Sequence, residues 1–172
     1  MLKWVACIMT IGGSLGMGMW YREQLLERIR VLRKLCWITE LLSGEIRFQR
    51  KTLPECCRTI AESLEKPYGE WFQRIHQGCR TEQGEELGEW MRECLETGLK
   101  ELPVTEEDRR AFLEFIPVRS YFDWEMQISS LEKSRLTLQR RIQDLEADCK
   151  QKGKLAPALG LGCGLVLVIV LV

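Results

Sequence analysis

The chain has 172 residues, and its 25 lysines and arginines balance 25 aspartates and glutamates, so the formal net charge is zero. Its mean hydropathy of −0.17 averages a polar middle with two apolar ends, because every charged residue except Lys3 falls within residues 21–154. This distribution excludes an ordinary soluble globule, and the charge balance excludes a nucleic-acid binder driven by bulk basicity.

The first apolar segment contains 17 uncharged residues from Trp4 to Trp20. As a helix it would measure roughly 26 Å, which is at the short end of what crosses a hydrocarbon core of about 30 Å. Trp4 and Trp20 bracket the run as interfacial anchors do, and Gly12 and Gly16 are spaced for helix contact. A cleaved signal peptide is the alternative, but an A-x-A-like cleavage site is missing. We predict that residues 1–20 are a retained transmembrane anchor.

Residues 155–172 form the second apolar segment, with 18 uncharged residues and a wholly aliphatic second half. The alternative, a buried core helix, would need covering segments that do not follow it. We therefore predict a second transmembrane helix over 155–172. Basic residues flank both membrane segments on the side of the polar middle, which predicts that this middle faces the cytoplasm. These residues are Arg22, Arg28, Arg30, Arg33 and Lys34, then Arg140, Arg141, Lys150, Lys152 and Lys154.

Six helices are predicted for the polar middle, residues 21–154, because strand signals are nearly absent and apolar residues recur at three- and four-residue steps. The first runs from Tyr21 to about Arg50. A capping box with proline in the first turn, Thr52-Leu-Pro-Glu55, starts the second, and Lys66-Pro67 ends it. The third covers about 71–79, the fourth includes 87–95 and ends at Leu102-Pro103, and Thr105 caps the fifth.

The sixth predicted helix runs from about Ser120 to Lys152 and carries a heptad-like seam with Arg135 in its gap. The seam positions are Trp124, Ile128, Leu131, Leu138, Ile142, Leu145 and Cys149. Packing inside the chain's own bundle is the favoured interpretation, and self-association through the seam is the other. The first and last helices would be roughly 45 and 50 Å long. Because both lead to the same membrane face, we expect antiparallel neighbours, with the four shorter helices at their far end. The predicted fold is thus an all-α six-helix bundle flanked by two transmembrane helices.

Chemical motifs are missing from this sequence. It has neither a phosphate-binding loop nor a dinucleotide fingerprint, and its eight cysteines contain no C-x-x-C pair. The single histidine, His76, has no triad-like neighbours and is interpreted as a surface or satisfied helix residue. A cytoplasmic location predicts reduced thiols. We predict no catalytic, metal-binding or cofactor-binding residues and no small-molecule substrate.

The order of several short patterns resembles the stage III sporulation protein AB family of endospore-forming bacteria over the whole chain. These patterns are Arg30-Val-Leu-Arg-Lys-Leu35, Glu40-Leu-Leu-Ser-Gly-Glu-Ile46, Thr52-Leu-Pro-Glu55, Gly84-Glu-Glu-Leu-Gly-Glu-Trp90 and Asp123-x-x-x-Gln127, between the two apolar ends. Tyr121-Phe122 departs from the Leu-Gly that the family usually shows. Glu45, Asp123 and Gln127 match the family pattern and are candidate interface positions, although packing or capping would also explain them.

The resemblance implies a fold like the cytoplasmic domain of the inner-membrane platform protein of type II secretion and pilus systems. It implies a non-catalytic part of a trans-envelope complex in the mother-cell membrane around the forespore. The expected partners are a secretion-type ATPase and other membrane and ring proteins of that complex, and no nucleic acid. The alternative function is a coiled-coil membrane scaffold or signalling protein that dimerises through its last helix.

Overall fold

The computed structural model describes residues 2–49, 53–78, 85–116 and 124–171, and in these ranges every regular element is an α-helix. The sequence-based prediction of an all-helical protein with six helices is confirmed. In chain order the helices are α1 Leu2–Gln49, α2 Leu53–Ser63, α3 Tyr68–Gly78, α4 Glu85–Lys100, α5 Glu106–Leu113 and α6 Trp124–Leu171.

Helices α1 and α6 are longer than predicted. Helix α1 begins at Leu2 rather than Tyr21, and α6 continues to Leu171 rather than ending near Lys152. The change from apolar to charged composition alters what surrounds a helix but does not interrupt its backbone hydrogen bonds. Each apolar end is therefore helically continuous with the polar helix beside it. The predicted starts at Thr52 and Ser120 lie outside the described residues.

The chain divides into two compact units. One contains Met1–Ile29 and Gln143–Val172, and the other contains Arg30–Ile142. In the first unit Leu25 and Ile29 are buried, whereas Met19, Trp20 and Tyr21 are exposed. Within the part of the chain that the structure describes, no helix holds a stretch long and apolar enough to cross a membrane. Most side chains of residues 1–20 and 155–172 lie outside that part, so the two membrane segments and the domain boundaries stay predictions.

The core of the Arg30–Ile142 unit is built from one face of each helix. Val31, Leu35, Ile38 and Leu42 are buried on α1 at the three- and four-residue steps of an amphipathic helix. Thr39 is fully buried among them, and its hydroxyl donates to the carbonyl oxygen of Cys36 at 2.7 Å. The largest fully buried side chains of the other helices are Ile60, Phe72, Ile75, Met91, Leu95, Leu99 and Phe112.

Helices α2, α3 and α4 pack in sequence. The predicted break at Lys66-Pro67 is present as a turn between α2 and α3. Trp71 on α3 is 5% exposed, and its indole lies directly against Gly98 of α4. A Cβ atom at Gly98 would overlap that ring. The close approach of α3 and α4 therefore depends on a residue without a side chain at position 98.

The Gly98 contact predicts a specific loss of stability. The substitution Gly98→Ala should lower the free energy of unfolding by about 1–3 kcal/mol, because the new methyl group forces Trp71 to move in a packed core. The measurement is chemical unfolding of the full chain followed by circular dichroism.

Gly44→Ala is the matched control, because a Cβ atom at Gly44 meets nothing within 4 Å. The helix preference of alanine should make this variant more stable by about 0.5–1 kcal/mol. Equal effects of the two substitutions would contradict the proposed packing of α3 on α4.

Candidate interaction surfaces

The cap predicted at Thr105 is present, and the structure shows it as a full capping box at the N-terminus of α5. The Thr105 hydroxyl accepts from the backbone N–H of Asp108 at 3.4 Å, and the Asp108 carboxylate accepts from the backbone N–H of Thr105 at 3.1 Å. Together these bonds satisfy two backbone donors that a helix start leaves open. Asp108 is fully buried. A buried carboxylate is costly unless it is hydrogen-bonded and paired with a cation.

Arg141 of α6 supplies that cation. Its Nη1 donates to Asp108 Oδ1 at 3.4 Å and to Glu107 Oε2 at 2.9 Å. The arginine side chain is 29% exposed, whereas that of Glu107 is 75% exposed. The pair with Asp108 is therefore the better shielded of the two, and it joins α6 to the first turn of α5.

Ser134 of α6 holds the other end of α5. Its fully buried hydroxyl donates to the carbonyl oxygens of Ala111 at 2.7 Å and Phe112 at 3.3 Å. The last four carbonyls of a helix lack an intrahelical partner, so this hydroxyl satisfies groups that would otherwise be buried and unpaired. Ser134 and Arg141 are seven residues apart and share one face of α6. We call Asp108, Ser134 and Arg141 the α5 clamp.

The heptad-like seam of α6 is occupied within the chain. Four of its seven predicted positions, Ile128, Leu131, Leu138 and Ile142, are buried, whereas Leu145 and Cys149 are half-buried and the side chain of Trp124 lies outside the described part. The predicted gap between Leu131 and Leu138 is filled on the core side by the buried Ser134. The half-buried side chain of Arg135 pairs instead with Glu40 of α1. The favoured interpretation of the seam, packing inside the bundle, therefore agrees with the structure.

Helices α1 and α6 run antiparallel within the Arg30–Ile142 unit. Cys36 Sγ lies 4.0 Å from the carbonyl oxygen of Arg135, and Glu40 and Arg135 form an ion pair at 3.8 Å. Arg47 of α1 pairs with Glu132 of α6 at 3.6 Å. A residue later in α1 thus contacts a residue earlier in α6, as in an antiparallel pair. Burial raises the pKa of the Cys36 thiol, which keeps this group neutral at physiological pH.

Two of the three family-pattern positions lie at one level of this helix pair. Glu45 is nine residues after Cys36 on α1, and Gln127 is eight residues before Arg135 on α6. Measured along the helices from the Cys36–Arg135 contact, they therefore lie about 13 and 12 Å away in the same direction. Both are half-buried, and Phe48 and Met126 beside them are 84% and 54% exposed. We call these four residues the Glu45–Gln127 end. Asp123 lies outside the described residues.

Groups suited to chemistry do not gather in the described ranges. No set of three His, Cys, Asp or Glu side chains there could hold a metal ion. His76 is half-buried, and across those ranges its Nδ1 has no hydrogen-bond partner, as is also true of Trp90 Nε1. The polar groups of the α5 clamp are used to join helices. The described part is thus all-helical, and the buried Asp108 and Ser134 serve to join α5 and α6.

Comparisons with known proteins identify the family. The family model described as Stage III sporulation protein AB matches residues 3–172, so the chain belongs to this family. The family is one of non-enzymatic sporulation proteins, and membership implies a role in sporulation. A solved structure described as Stage III sporulation protein AB (SpoIIIAB) matches with a TM-score of 0.61 and 17% identity, covering 72% of this chain and 97% of that chain. This likeness shows the fold. None of the curated proteins compared with the chain matches it.

The α5 clamp predicts that a single hydroxyl matters. Ser134→Ala should lower the free energy of unfolding by about 1–3 kcal/mol, since it leaves two buried carbonyls of α5 without a donor. Chemical unfolding of the full chain measures this loss. Ser129→Ala, at an exposed position of the same helix, should change it by less than about 0.5 kcal/mol. A Ser134 effect no larger than the Ser129 effect would contradict the clamp.

Proposed function

We propose that this chain is a non-catalytic, membrane-anchored platform protein of a secretion-like complex that crosses the cell envelope during endospore formation. Two transmembrane helices, within residues 1–20 and 155–172, hold it in the mother-cell membrane around the forespore. The bulk of the chain faces the cytoplasm and docks a secretion-type ATPase. Family membership supports the link to sporulation, and the finer role rests on the features that follow.

The anchor is supported by composition and by exposure. Helix α1 includes an uncharged run of 17 residues, and α6 continues into an uncharged run of 18 residues. Where the first run ends, Met19 and Trp20 are 67% and 60% exposed, and Tyr21 is 45% exposed. Exposed aromatic rings followed at once by Arg22 suit the headgroup region of a membrane. The basic residues beside both runs favour the cytoplasmic side for the polar part.

The Glu45–Gln127 end is the proposed ATPase-docking surface, and the exposure of Phe48 is the observation that carries this proposal. A phenylalanine that is 84% exposed is costly to leave in water, and such side chains commonly mark protein interfaces. Met126 adds a second exposed apolar group with an adaptable side chain. Glu45 and Gln127, which match the family pattern, supply polar groups at the same level. An apolar centre with polar neighbours is the usual composition of a docking surface.

A coiled-coil scaffold that dimerises through its last helix is less well supported. Its seam would have to be open to a second chain. Ile128, Leu131, Leu138 and Ile142 are instead buried within one chain, each at 8% exposure or less. Separating them from the bundle would expose these four aliphatic side chains to water, at a cost in free energy of about 1.5–3 kcal/mol each.

Loss of the Glu45–Gln127 end should weaken ATPase binding without unfolding the chain. From membranes of sporulating cells, the tagged full chain should co-purify with a secretion-type ATPase. Phe48→Asp together with Gln127→Lys should reduce the amount recovered at least about tenfold, because a central apolar contact is lost and two charges are added.

The matched control is Glu62→Lys with Arg58→Asp, at exposed positions of α2. It introduces the same residue types and should leave recovery unchanged. Equal recovery from both double variants and the unaltered chain would refute docking at this end. Failure of the unaltered chain to recover any ATPase would refute the platform proposal itself.

A further inference from the structure

The polar residues beside the two uncharged runs lie at the depth of the lipid headgroups in the platform proposal. One run ends at Trp20 and the other begins at Leu155, and in that proposal both of these ends meet the cytoplasmic face of one membrane. Residues 21–25 of α1 and 150–154 of α6 therefore lie within about 8 Å of the hydrocarbon core. The headgroups fill about 5–8 Å on each side of that core. We call these two stretches the boundary segments.

The boundary segments carry an excess of positive charge. They hold four basic residues and one acidic residue, Glu23, which gives a net charge of +3. The next five residues of each helix away from the membrane, 26–30 and 145–149, hold two basic and three acidic residues, a net charge of −1. The local charge therefore changes sign just beyond the depth of the headgroups. The basic residues of the boundary segments are Arg22, Lys150, Lys152 and Lys154.

The two cations of these segments whose side chains are described are available to a ligand. Arg22 and Lys150 are exposed, and in the described part of the chain neither side chain forms an ion pair or a hydrogen bond. Slightly farther from the uncharged runs the charged residues differ, because Arg28, Glu146 and Asp148 each have an interaction partner. Both boundary segments belong to the same compact unit, so their charges act on one patch of the membrane.

Exposed apolar side chains border the boundary segment of α1 on its membrane side. Met19 is 67% exposed, Trp20 is 60% exposed, and the ring of Tyr21 at the start of the segment is 45% exposed. Tryptophan and tyrosine rings favour the headgroup level of a membrane, so they fix the depth of Arg22, the next residue. The long side chains of arginine and lysine extend from that depth to the phosphates around them.

We propose, on the basis of the membrane anchor in the platform proposal, that the boundary segments bind the headgroups of anionic phospholipids. The guanidinium group of Arg22 donates two hydrogen bonds to a lipid phosphate, and the ammonium group of Lys150 contacts phosphate as a point charge. Basic clusters directly cytoplasmic of a membrane helix attract lipids with a net negative headgroup over zwitterionic ones. The ligand is a lipid rather than free phosphate, because the site adjoins apolar runs and exposed aromatic rings that favour acyl chains.

The lipid selectivity of the full chain in vesicles tests this proposal. Electron paramagnetic resonance of spin-labelled lipids measures the affinity of the protein surface for phosphatidylglycerol relative to phosphatidylcholine. The relative affinity should exceed about threefold at low ionic strength and decline as sodium chloride is added. Arg22→Gln with Lys150→Gln should lower it at least about twofold, because two of the four cations are removed. Inorganic phosphate should act no more strongly than sodium chloride of the same ionic strength, and a stronger effect would overturn the assignment to lipid.

Arg58→Gln with Lys100→Gln is the matched control, because it removes the same two residue types at exposed positions of α2 and α4. It should leave the relative affinity unchanged, and both double variants should keep the circular dichroism of the unaltered chain. Equal affinity of the unaltered chain for the two lipids, or equal losses in the two variants, would overturn headgroup binding and leave the platform proposal standing. Extraction of the chain from the vesicles by alkaline carbonate would overturn the membrane anchor itself, and headgroup binding with it.

Discussion

The attachment of α5 to α6 is the constraint on which the Arg30–Ile142 unit depends. Helix α5 has only eight residues, too few to be stable alone, and one face of α6 contacts both of its ends. Arg141 neutralises the buried Asp108 of the capping box, and the Ser134 hydroxyl closes the terminal carbonyls. Because the clamp lies on the face of α6 next to its apolar seam, the same contacts that hold α5 keep that seam inside the bundle.

The packing of this core determines which side chains stay exposed and can contact partners. The buried polar groups of the clamp join helices inside the core. The apolar side chains of Phe48, Met126, Trp37 and Leu136 are instead exposed and lie outside that core. They fall on two separate parts of the α1–α6 pair. One is its Glu45–Gln127 end, and the other is its outward side at the Cys36–Arg135 contact. The platform role that we propose uses the first of these parts as its ATPase-docking surface.

Periodicity and turn residues predicted much of the fold. The six helices, the Thr105 cap and the Lys66-Pro67 break follow from local rules, so they were accessible from the sequence. The sequence did not predict whether Ser134 or Arg135 turns inward in the seam. That depends on the position of the α5 carbonyls, which only the folded chain reveals. Each long helix was expected to run almost directly into an apolar segment, but not as one continuous helix, because a change in composition does not show whether the backbone hydrogen bonds are interrupted. Of the candidate residues, Glu45 and Gln127 lie at one level by helix geometry, a relation that spacing along the sequence does not reveal.

The central claim is that the Glu45–Gln127 end meets an ATPase in the cell. A photoreactive amino acid in place of Phe48, activated in sporulating cells, tests it most directly because it reports contacts in the intact complex. The account predicts a crosslink to a secretion-type ATPase, with none from the same group in place of Arg58 on α2. Crosslinks from position 48 only to lipid, or to proteins other than an ATPase, would contradict it.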